Sequence, residues 1–370
     1  MKMNFLKKKG IRITLFIIGL IYAIIGFGLT SAWLAVKLKL TNDPGTVDVN
    51  DRYFQEMANK DLYKNAENDT LQQATQLALA YYKTAVLSQF YPKNAQMIID
   101  VLKETGDPVL AEHMLDAAGV YLKDSAYYMN PVSKAMQLAA EIKPKPVSHN
   151  LYRWMNLEEW PVLKEALSKD KQVIDSVSVL TDVSSRLISS VLIAEQIRLF
   201  DSRREAFKKW IQPLKILSNE TTFSWGVTGV KEFTAQRIEQ NLKDKNSDFY
   251  IGEKYEKLLE FSTTDISGER FQRIANPRNH FYAYLYAALC IRQIEEQWKK
   301  AGFDISKRPE IMATLYNVGY DFSKPKADPQ VGGSNINVGG VNYTFGKLAY
   351  EYYFSGELSE IFPFPAKGKY

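Results

Sequence analysis

Apolar residues along most of this chain recur every three or four positions, the spacing that is typical of amphipathic helices. This spacing predicts helices over residues 70–90, 94–103, 108–122 and 131–142. Alternation typical of β-strands is rare. The segment with the best strand signal, residues 338–345, lies beside paired glycines that favour turns. The sequence therefore predicts a mainly α-helical protein with a small β-hairpin.

The longest apolar run, residues 11–36, predicts a membrane-spanning helix. At about 1.5 Å per residue it crosses a hydrocarbon layer of roughly 30 Å, and it exceeds the core of roughly 7–15 residues in a typical signal peptide. Five basic residues lie at or before its start and two follow it, which favours a cytoplasmic N-terminus. We expect a retained signal anchor in the plasma membrane and an extracytoplasmic remainder; cleavage near Thr30 and Ala32 is the weaker alternative.

Changes in composition divide the chain into four parts. Residues 1–40 hold the cytoplasmic tail and anchor, residues 41–68 form a polar linker, and residues 69–145 form a helical region. A stretch rich in proline and lysine at residues 143–147 ends that region, and residues 146–370 follow as a larger α-rich domain. The helical region is interpreted as a spacer or as a docking surface for an envelope protein. A helical-repeat adaptor is a further interpretation, although no signature recurs at a fixed period.

Charge and side-chain chemistry exclude several classes of function. The chain carries 47 basic and 42 acidic residues, and seven of the basic ones lie in the first forty positions. The remainder therefore has 40 basic and 42 acidic residues and a net charge of −2, which argues against nucleic-acid binding. A single cysteine, Cys290, excludes an intrachain disulfide, and the three histidines have no metal-ligand spacing. We expect neither a metal nor a cofactor.

An acidic residue interrupts the apolar face of one predicted helix. Glu195 shares that face with four aliphatic residues: Ile188, Val191, Leu192 and Leu199. Removal from water disfavours a charged carboxylate, so this position predicts a carboxyl group that keeps its proton near neutral pH. Cleavage of a glycosidic bond requires such a proton donor.

Two later segments accompany Glu195. One reads Ser-Trp-Gly-Val-Thr-Gly over residues 224–229 and leads into Thr-Ala at residues 234–235, and the other reads Tyr-Asn-Val-Gly over residues 316–319. In this order and spacing, the three segments resemble the lysozyme-like superfamily, in particular the lytic transglycosylases and goose-type lysozymes. The resemblance covers about residues 180–355, which implies a lysozyme-like, α-rich domain.

The resemblance implies a role for five residues. Glu195 matches the general acid that protonates the glycosidic oxygen, and Ser224 and Gly226 match the floor of the substrate cleft. Tyr316 matches a tyrosine that contacts the acid, and Asn317 belongs to the same substrate-binding motif. The implied protein is a membrane-anchored enzyme that cuts the glycan strand of peptidoglycan. Water attacks in lysozymes, whereas the sugar's own C6 hydroxyl attacks in lytic transglycosylases.

The sequence departs from that family at two positions. The family's glutamine falls at Gly229, and its frequent proline falls at Glu232. Loss of the glutamine removes a polar contact to substrate, so a non-catalytic glycan-binding or envelope scaffold protein is the alternative interpretation. Periodicity alone also allows a structural role for Glu195, with its carboxylate reaching solvent at a helix end and paired with Arg198 or Arg204.

Overall fold

The computed structural model describes residues 66–88, 90–119, 149–207 and 227–366. All of them belong to one compact unit, formed by residues Asn65–Tyr127 and Pro144–Tyr370. This described part is 63% helical and contains eleven α-helices, so the prediction of a mainly α-helical protein is confirmed for it. Among the predicted features, the anchor, the helix over residues 131–142, the break at residues 143–147, and both Ser224 and Gly226 lie outside the described residues.

Three helices come first along the described chain: α1 Ala66–Ser88, α2 Pro92–Thr105 and α3 Pro108–Gly119. Eight more follow: α4 Trp160–Lys169, α5 Lys171–Thr181, α6 Ser185–Phe207, α7 Glu232–Lys243, α8 Ile266–Ile274, α9 Phe281–Lys300, α10 Pro309–Val318 and α11 Phe345–Ser355. Short 3₁₀ helices occupy Arg153–Asn156, Glu253–Tyr255 and Tyr320–Phe322. The first three α-helices agree with the predicted ones to within a few residues.

The break between α2 and α3 follows from local backbone chemistry. Gly106 ends α2 in the left-handed region, with φ +60°, and its N–H donates to the carbonyl of Leu102 at 2.9 Å. The Asp107 carboxylate accepts the N–H of Val109 at 2.9 Å and so caps the next helix. Pro108 occupies the first position of α3, where no backbone N–H is needed.

The predicted β-hairpin is present and begins slightly earlier than the pattern indicated. Strand β1, Asn335–Val338, pairs antiparallel with β2, Val341–Thr344. Gly339 and Gly340 form the two-residue turn, both with positive φ, which is the backbone that suits a tight hairpin. Ile336 and Val338 alternate with exposed residues and are buried against the helices.

The buried residues of the described part form one hydrophobic core, to which α6, α9 and α11 all contribute. Helix α9 buries twelve of its residues, including Tyr284, Leu289 and Trp298. Helix α11 packs against α3, α6 and α10, so it joins the first three helices to the rest of the unit. The rings of His113 on α3 and Phe354 on α11 stack with centroids 4.9 Å apart. The predicted helical region is thus part of the same compact unit wherever it is described.

A buried arginine ties the start of α6 to the C-terminal segment. The guanidinium of Arg186 donates to four backbone carbonyl oxygens, those of Tyr353 (2.7 Å), Phe362 (2.9 Å), Tyr352 (3.2 Å) and Glu357 (3.3 Å). Its charge also lies 3.9 Å from the centroid of the Phe364 ring. Burial lowers the pKa of Arg186 from its ordinary value. This network holds the residues after α11 against the core.

Among the described helices, none is by itself long and apolar enough to cross a membrane. One pair, Lys171–Thr181 with Ser185–Phe200, meets the length and composition criteria only when taken together, and it is bent by 120°.

Candidate active site

The structure brings together parts of the three segments that carry the resemblance. Glu195 projects from α6, and the backbone of Gly229 lies directly against its carboxylate. Tyr316 of α10 donates its hydroxyl to the carbonyl of Thr228, a residue 88 positions earlier, at 2.7 Å. One cluster therefore contains the candidate acid, the loop after the Ser-x-Gly motif and the candidate tyrosine.

Glu195 is buried, as its place on an apolar helical face predicts. Only 3% of its surface is exposed. Ile188, Val191 and Leu192 of the same face are also buried, because this side of α6 faces the core. The carboxylate therefore sits where water contributes little to its solvation.

Arg198 is the partner of that carboxylate. Its Nε donates to Oε2 of Glu195 at 3.0 Å, and its Nη2 donates to Oε1. Both oxygens act as acceptors, which is the arrangement of an ionised carboxylate with a guanidinium fork. The hydrogen bond to Glu195 raises the pKa of Arg198 above its ordinary value, although burial opposes that change. The ion pair that periodicity allowed is present, but the carboxylate lies inside the protein and not in solvent.

Three helices hold the loop over this pair in place. Gln196 of α6 donates its amide to the carbonyl of Val227 at 2.5 Å, and the Thr228 hydroxyl donates to the carbonyl of Ala283 on α9 at 3.2 Å. The bond from Tyr316 of α10 is the third. Gln196 and Thr228 were not identified from sequence. The sequence signal that could have marked Gln196 is its place directly after the candidate acid.

Both the backbone conformation and the room available for a side chain favour glycine at position 229. Its φ is +69°, a conformation that favours glycine. A Cβ atom at this position would lie 2.1 Å from Oε1 of Glu195, far inside van der Waals contact. Any larger side chain at position 229 is therefore incompatible with the present position of the Glu195 side chain.

Tyr316 and Asn317 both hold the loops around the site. Burial, followed by the nearby charge of Glu195, raises the pKa of Tyr316 well above its ordinary value, so its hydroxyl stays a neutral donor. The Tyr316 hydroxyl donates its hydrogen bond to the carbonyl of Thr228 and not to Glu195. Asn317 accepts from the backbone N–H of Ser334 at 2.7 Å and from its hydroxyl at 3.0 Å. Asn317 thus ties the end of α10 to the segment before β1.

The described part of the chain offers neither a reactive thiol nor a cluster of metal ligands. Cys290 is buried on α9, and burial raises the pKa of its thiol to about 12. Within the residues that the structure describes, no group of three or more His, Cys, Asp or Glu side chains could hold a metal ion. The chemistry of this site therefore centres on Glu195 and Arg198.

Comparisons of the chain with models of known protein families, with curated proteins and with solved structures found no match.

Proposed function

We propose that this protein cleaves the glycan strand of peptidoglycan, with Glu195 as the general acid, in the manner of lytic transglycosylases and lysozymes. The observation that supports the proposal most is the convergence of three segments that are far apart in sequence. The carboxylate of Glu195, the Gly229 backbone and the Tyr316–Thr228 hydrogen bond form one cluster. If the similarity of the three short motifs were due to chance, there would be no reason for these segments to lie together in the fold.

The proposed reaction needs only one carboxyl group from the protein. Glu195 donates a proton to the glycosidic oxygen, and the electron pair of the breaking C–O bond leaves with that oxygen. Attack by the C6 hydroxyl of the same sugar then yields an anhydro end, whereas attack by water yields a reducing end. Because both oxygens of Glu195 accept from Arg198 in the present arrangement, the acid can act only after Arg198 has moved away.

The setting proposed for this activity is the outer face of the plasma membrane. The apolar run at residues 11–36 would anchor the protein with its N-terminus in the cytoplasm, and residues 69–145 would offer a surface to an envelope partner. An anchor of this kind would limit cleavage to the wall within reach of the membrane.

The test compares wild type with Glu195→Gln, both as full-length chains in mild detergent, on purified peptidoglycan. Loss of a general acid lowers the rate by about 100-fold or more, so we expect the variant to release almost no soluble fragments. Mass spectrometry of the fragments separates anhydro ends from hydrated ends. Glu357→Gln is the matched control, because Glu357 is also buried and ion-paired, with Lys164 and not with a residue of the candidate site. Equal release by wild type and Glu195→Gln would refute the proposal.

The observation that favours the second candidate, a non-catalytic glycan-binding protein, is the ion pair itself. Both oxygens of the buried carboxylate already accept from Arg198, which is the arrangement of a structural ion pair. This candidate predicts that wild type and Glu195→Gln sediment equally with insoluble peptidoglycan and that neither releases fragments.

A further inference from the structure

A cavity of about 480 Å³ lies at α8, and none of the residues of the candidate active site lines it. Its walls come from the loop before α8, from α8 itself and from the segment that leads into α9. The volume falls within the range of roughly 300–1,000 Å³ that is typical of small-molecule sites. Every lining residue except Gly268 has a polar side chain, so a ligand in this cavity would be recognised mainly by hydrogen bonds.

Part of the cavity wall is already fully paired. The carboxylate of Glu269 accepts the backbone N–H groups of Ser262 and Thr263 at 3.0 and 2.9 Å. Arg273 pairs with Glu269 at 2.5 Å and donates to the carbonyl of Glu260 at 2.7 Å. These contacts make that wall rigid, and they occupy the one guanidinium of the lining that would otherwise bind an anion.

Two asparagines on the opposite part of the lining present hydrogen-bond donors of fixed orientation. The Oδ1 atom of Asn276 accepts the backbone N–H groups of Arg278 and Asn279, at 2.9 and 3.1 Å. In the same way, Oδ1 of Asn279 accepts the N–H of Phe281 at 3.0 Å. These bonds fix which side of each amide carries the oxygen, so Nδ2 is left as a donor on the other side. Within the part of the chain that the structure describes, neither Nδ2 atom has a protein partner.

The lining also offers groups that can accept a hydrogen bond. Among the described residues, the Gln272 amide and the Tyr282 hydroxyl have no hydrogen-bond partner, and both residues line the cavity. Asp265 uses Oδ1 to accept the N–H of Gly268 at 3.0 Å. Its Oδ2 lies over Gly268, where a Cβ atom would come within 2.2 Å of it. The cavity thus combines unpaired donors with an unpaired carboxylate oxygen.

The charges of the lining select the kind of ligand. Asp265 and Glu269 are acidic and Arg273 is basic, so the lining has a net charge of −1, which does not favour an anion. No group of three or more possible metal ligands occurs among the described residues, which leaves a metal ion without a site there. A neutral molecule with several hydroxyl and amide groups satisfies both the donors and the acceptors. A sugar ring with an acetamido group has this chemistry.

The cavity is attached to the same elements as the candidate active site. Tyr282 of its lining directly precedes Ala283, whose carbonyl accepts the hydroxyl of Thr228 at 3.2 Å. On α8, the Ser267 hydroxyl donates to Glu232 at 2.9 Å, at the start of the helix that follows the Thr228 loop. One framework of helices α7, α8 and α9 therefore carries both the cavity and the loop that covers the candidate acid.

We propose that this cavity is a second carbohydrate-binding site, which takes a neutral N-acetylated sugar of the glycan strand. The choice of a glycan rests on the proposed function, whereas the neutral and hydroxyl-rich nature of the ligand rests on the cavity itself. Such a site holds the polymer without taking part in bond cleavage. It therefore lowers the KM for long strands and leaves kcat unchanged.

The experiment is hydrogen–deuterium exchange of the full-length protein in mild detergent, with and without N-acetylglucosamine. This monosaccharide has no glycosidic bond to a second sugar, so the wild-type chain cannot consume it. We expect slower exchange in peptides that cover residues 262–282, because a bound sugar restricts local opening of the cavity walls. Glucuronic acid has the same ring size but carries a carboxylate, and we expect it to leave these peptides unchanged.

Asn276→Asp and Asn279→Asp test the donors. Each variant keeps an oxygen for the backbone N–H groups and replaces the Nδ2 donor by an acceptor, so the local turn is preserved. We expect half-maximal protection to need about tenfold more sugar, the factor that corresponds to one lost hydrogen bond in a site of this kind. Gln272→Ala removes an exposed side chain of α8 and is expected to weaken binding less.

Asn246→Asp is the matched control, since it makes the same change of charge at an exposed turn outside the cavity lining. Circular dichroism establishes that each variant is folded. Unchanged exchange over residues 262–282 at saturating sugar, or equal protection in Asn276→Asp, Asn279→Asp and Asn246→Asp, would overturn the cavity as a sugar site. These readouts do not involve Glu195. Equal peptidoglycan cleavage by wild type and Glu195→Gln would instead refute the proposed function, while sugar-dependent protection of residues 262–282 would still support the cavity.

Discussion

Glu195 and Gly229 share a space that only one side chain can fill. The carboxylate of Glu195 occupies the volume that a side chain at position 229 would need, and the positive φ of Gly229 brings the backbone close enough to cover it. Arg198 covers the Glu195 carboxylate on its solvent side. A side chain at position 229 would therefore require the Glu195 carboxylate to move.

Gly229→Ala tests this packing directly. The new methyl group would lie 2.1 Å from Oε1 of Glu195, and the alanine backbone would have to keep an unfavourable positive φ. We therefore expect the free energy of unfolding to fall by about 2–4 kcal/mol. The measurement is urea unfolding followed by circular dichroism.

Gly106→Ala separates the backbone cost of Gly229→Ala from the steric clash. Gly106 has φ +60° and no neighbouring atom within 4 Å of a built Cβ, so its substitution costs only the strained backbone, about 1–2 kcal/mol. If the two variants lose the same stability, contact with Glu195 contributes nothing and the packing argument is wrong.

At the scale of elements, α8 shows how a short helix is held by polar groups. Asp265 caps it by accepting the N–H of Gly268 at 3.0 Å. Glu269 reaches back to accept the backbone N–H groups of Ser262 and Thr263, at 3.0 and 2.9 Å, and their hydroxyls. Arg273 pairs with Glu269 on its other side. This arrangement orders the loop before α8, which lines the cavity of about 480 Å³ together with other, mostly polar residues.

Glu269 makes the stability of this element dependent on pH. Desolvation raises its pKa, but the bonds from Ser262 and Thr263 outweigh that effect and lower it from 4.5 to about 2. Because the pKa is lower in the folded state, the stabilisation is complete above pH 4.5 and is lost as the pH falls to about 2. We expect wild type to lose more unfolding free energy between pH 5 and pH 2 than Glu269→Gln does, as measured by urea unfolding.

Glu260→Gln provides the comparison for Glu269→Gln. Glu260 is exposed in the same loop region, and the hydrogen bonds from Ser262 and Thr263 go to Glu269, so Glu260→Gln controls for the loss of one surface charge. An identical pH dependence in wild type and Glu269→Gln would show that these hydrogen bonds do not stabilise the fold.

At the scale of the whole molecule, α1–α3 and α4–α11 form one compact unit. Helix α3 packs against α1, α2 and α11, and Leu110 and Met114 of α3 are fully buried. A unit with one continuous core should unfold cooperatively.

Leu110→Ala tests that cooperativity. The cavity left by the leucine should lower the free energy of unfolding by about 2–5 kcal/mol. All six tryptophans lie outside residues 66–119, so their fluorescence reports on the rest of the chain. We expect tryptophan fluorescence and far-ultraviolet circular dichroism to show the same lowered midpoint.

The neighbouring residue supplies the control for Leu110→Ala. Val109 is 51% exposed on the same helix, so Val109→Ala should change stability by only about 0.5 kcal/mol. An unchanged tryptophan midpoint in Leu110→Ala would mean that α1–α3 unfold independently.

Local periodicity was sufficient to predict the helices α1–α3, the glycine-turned hairpin and the burial of Glu195. Each of these depends on residues that are close together in sequence, where the helical or strand repeat itself decides which side chains share a face. The turn between α2 and α3 is local in the same way, because Gly106, Asp107 and Pro108 carry its chemistry themselves.

The partners of the site were decided only by the tertiary structure. Sequence allowed Glu195 either to be buried or to reach solvent at a helix end, paired with Arg198 or Arg204, and it gave no reason for Gly229 to lie on the carboxylate. The bonds from Tyr316 to Thr228 and from Asn317 to Ser334 likewise join residues on different elements. Such contacts depend on how whole helices pack, and a repeat of three or four residues carries no information about the distance between two helices.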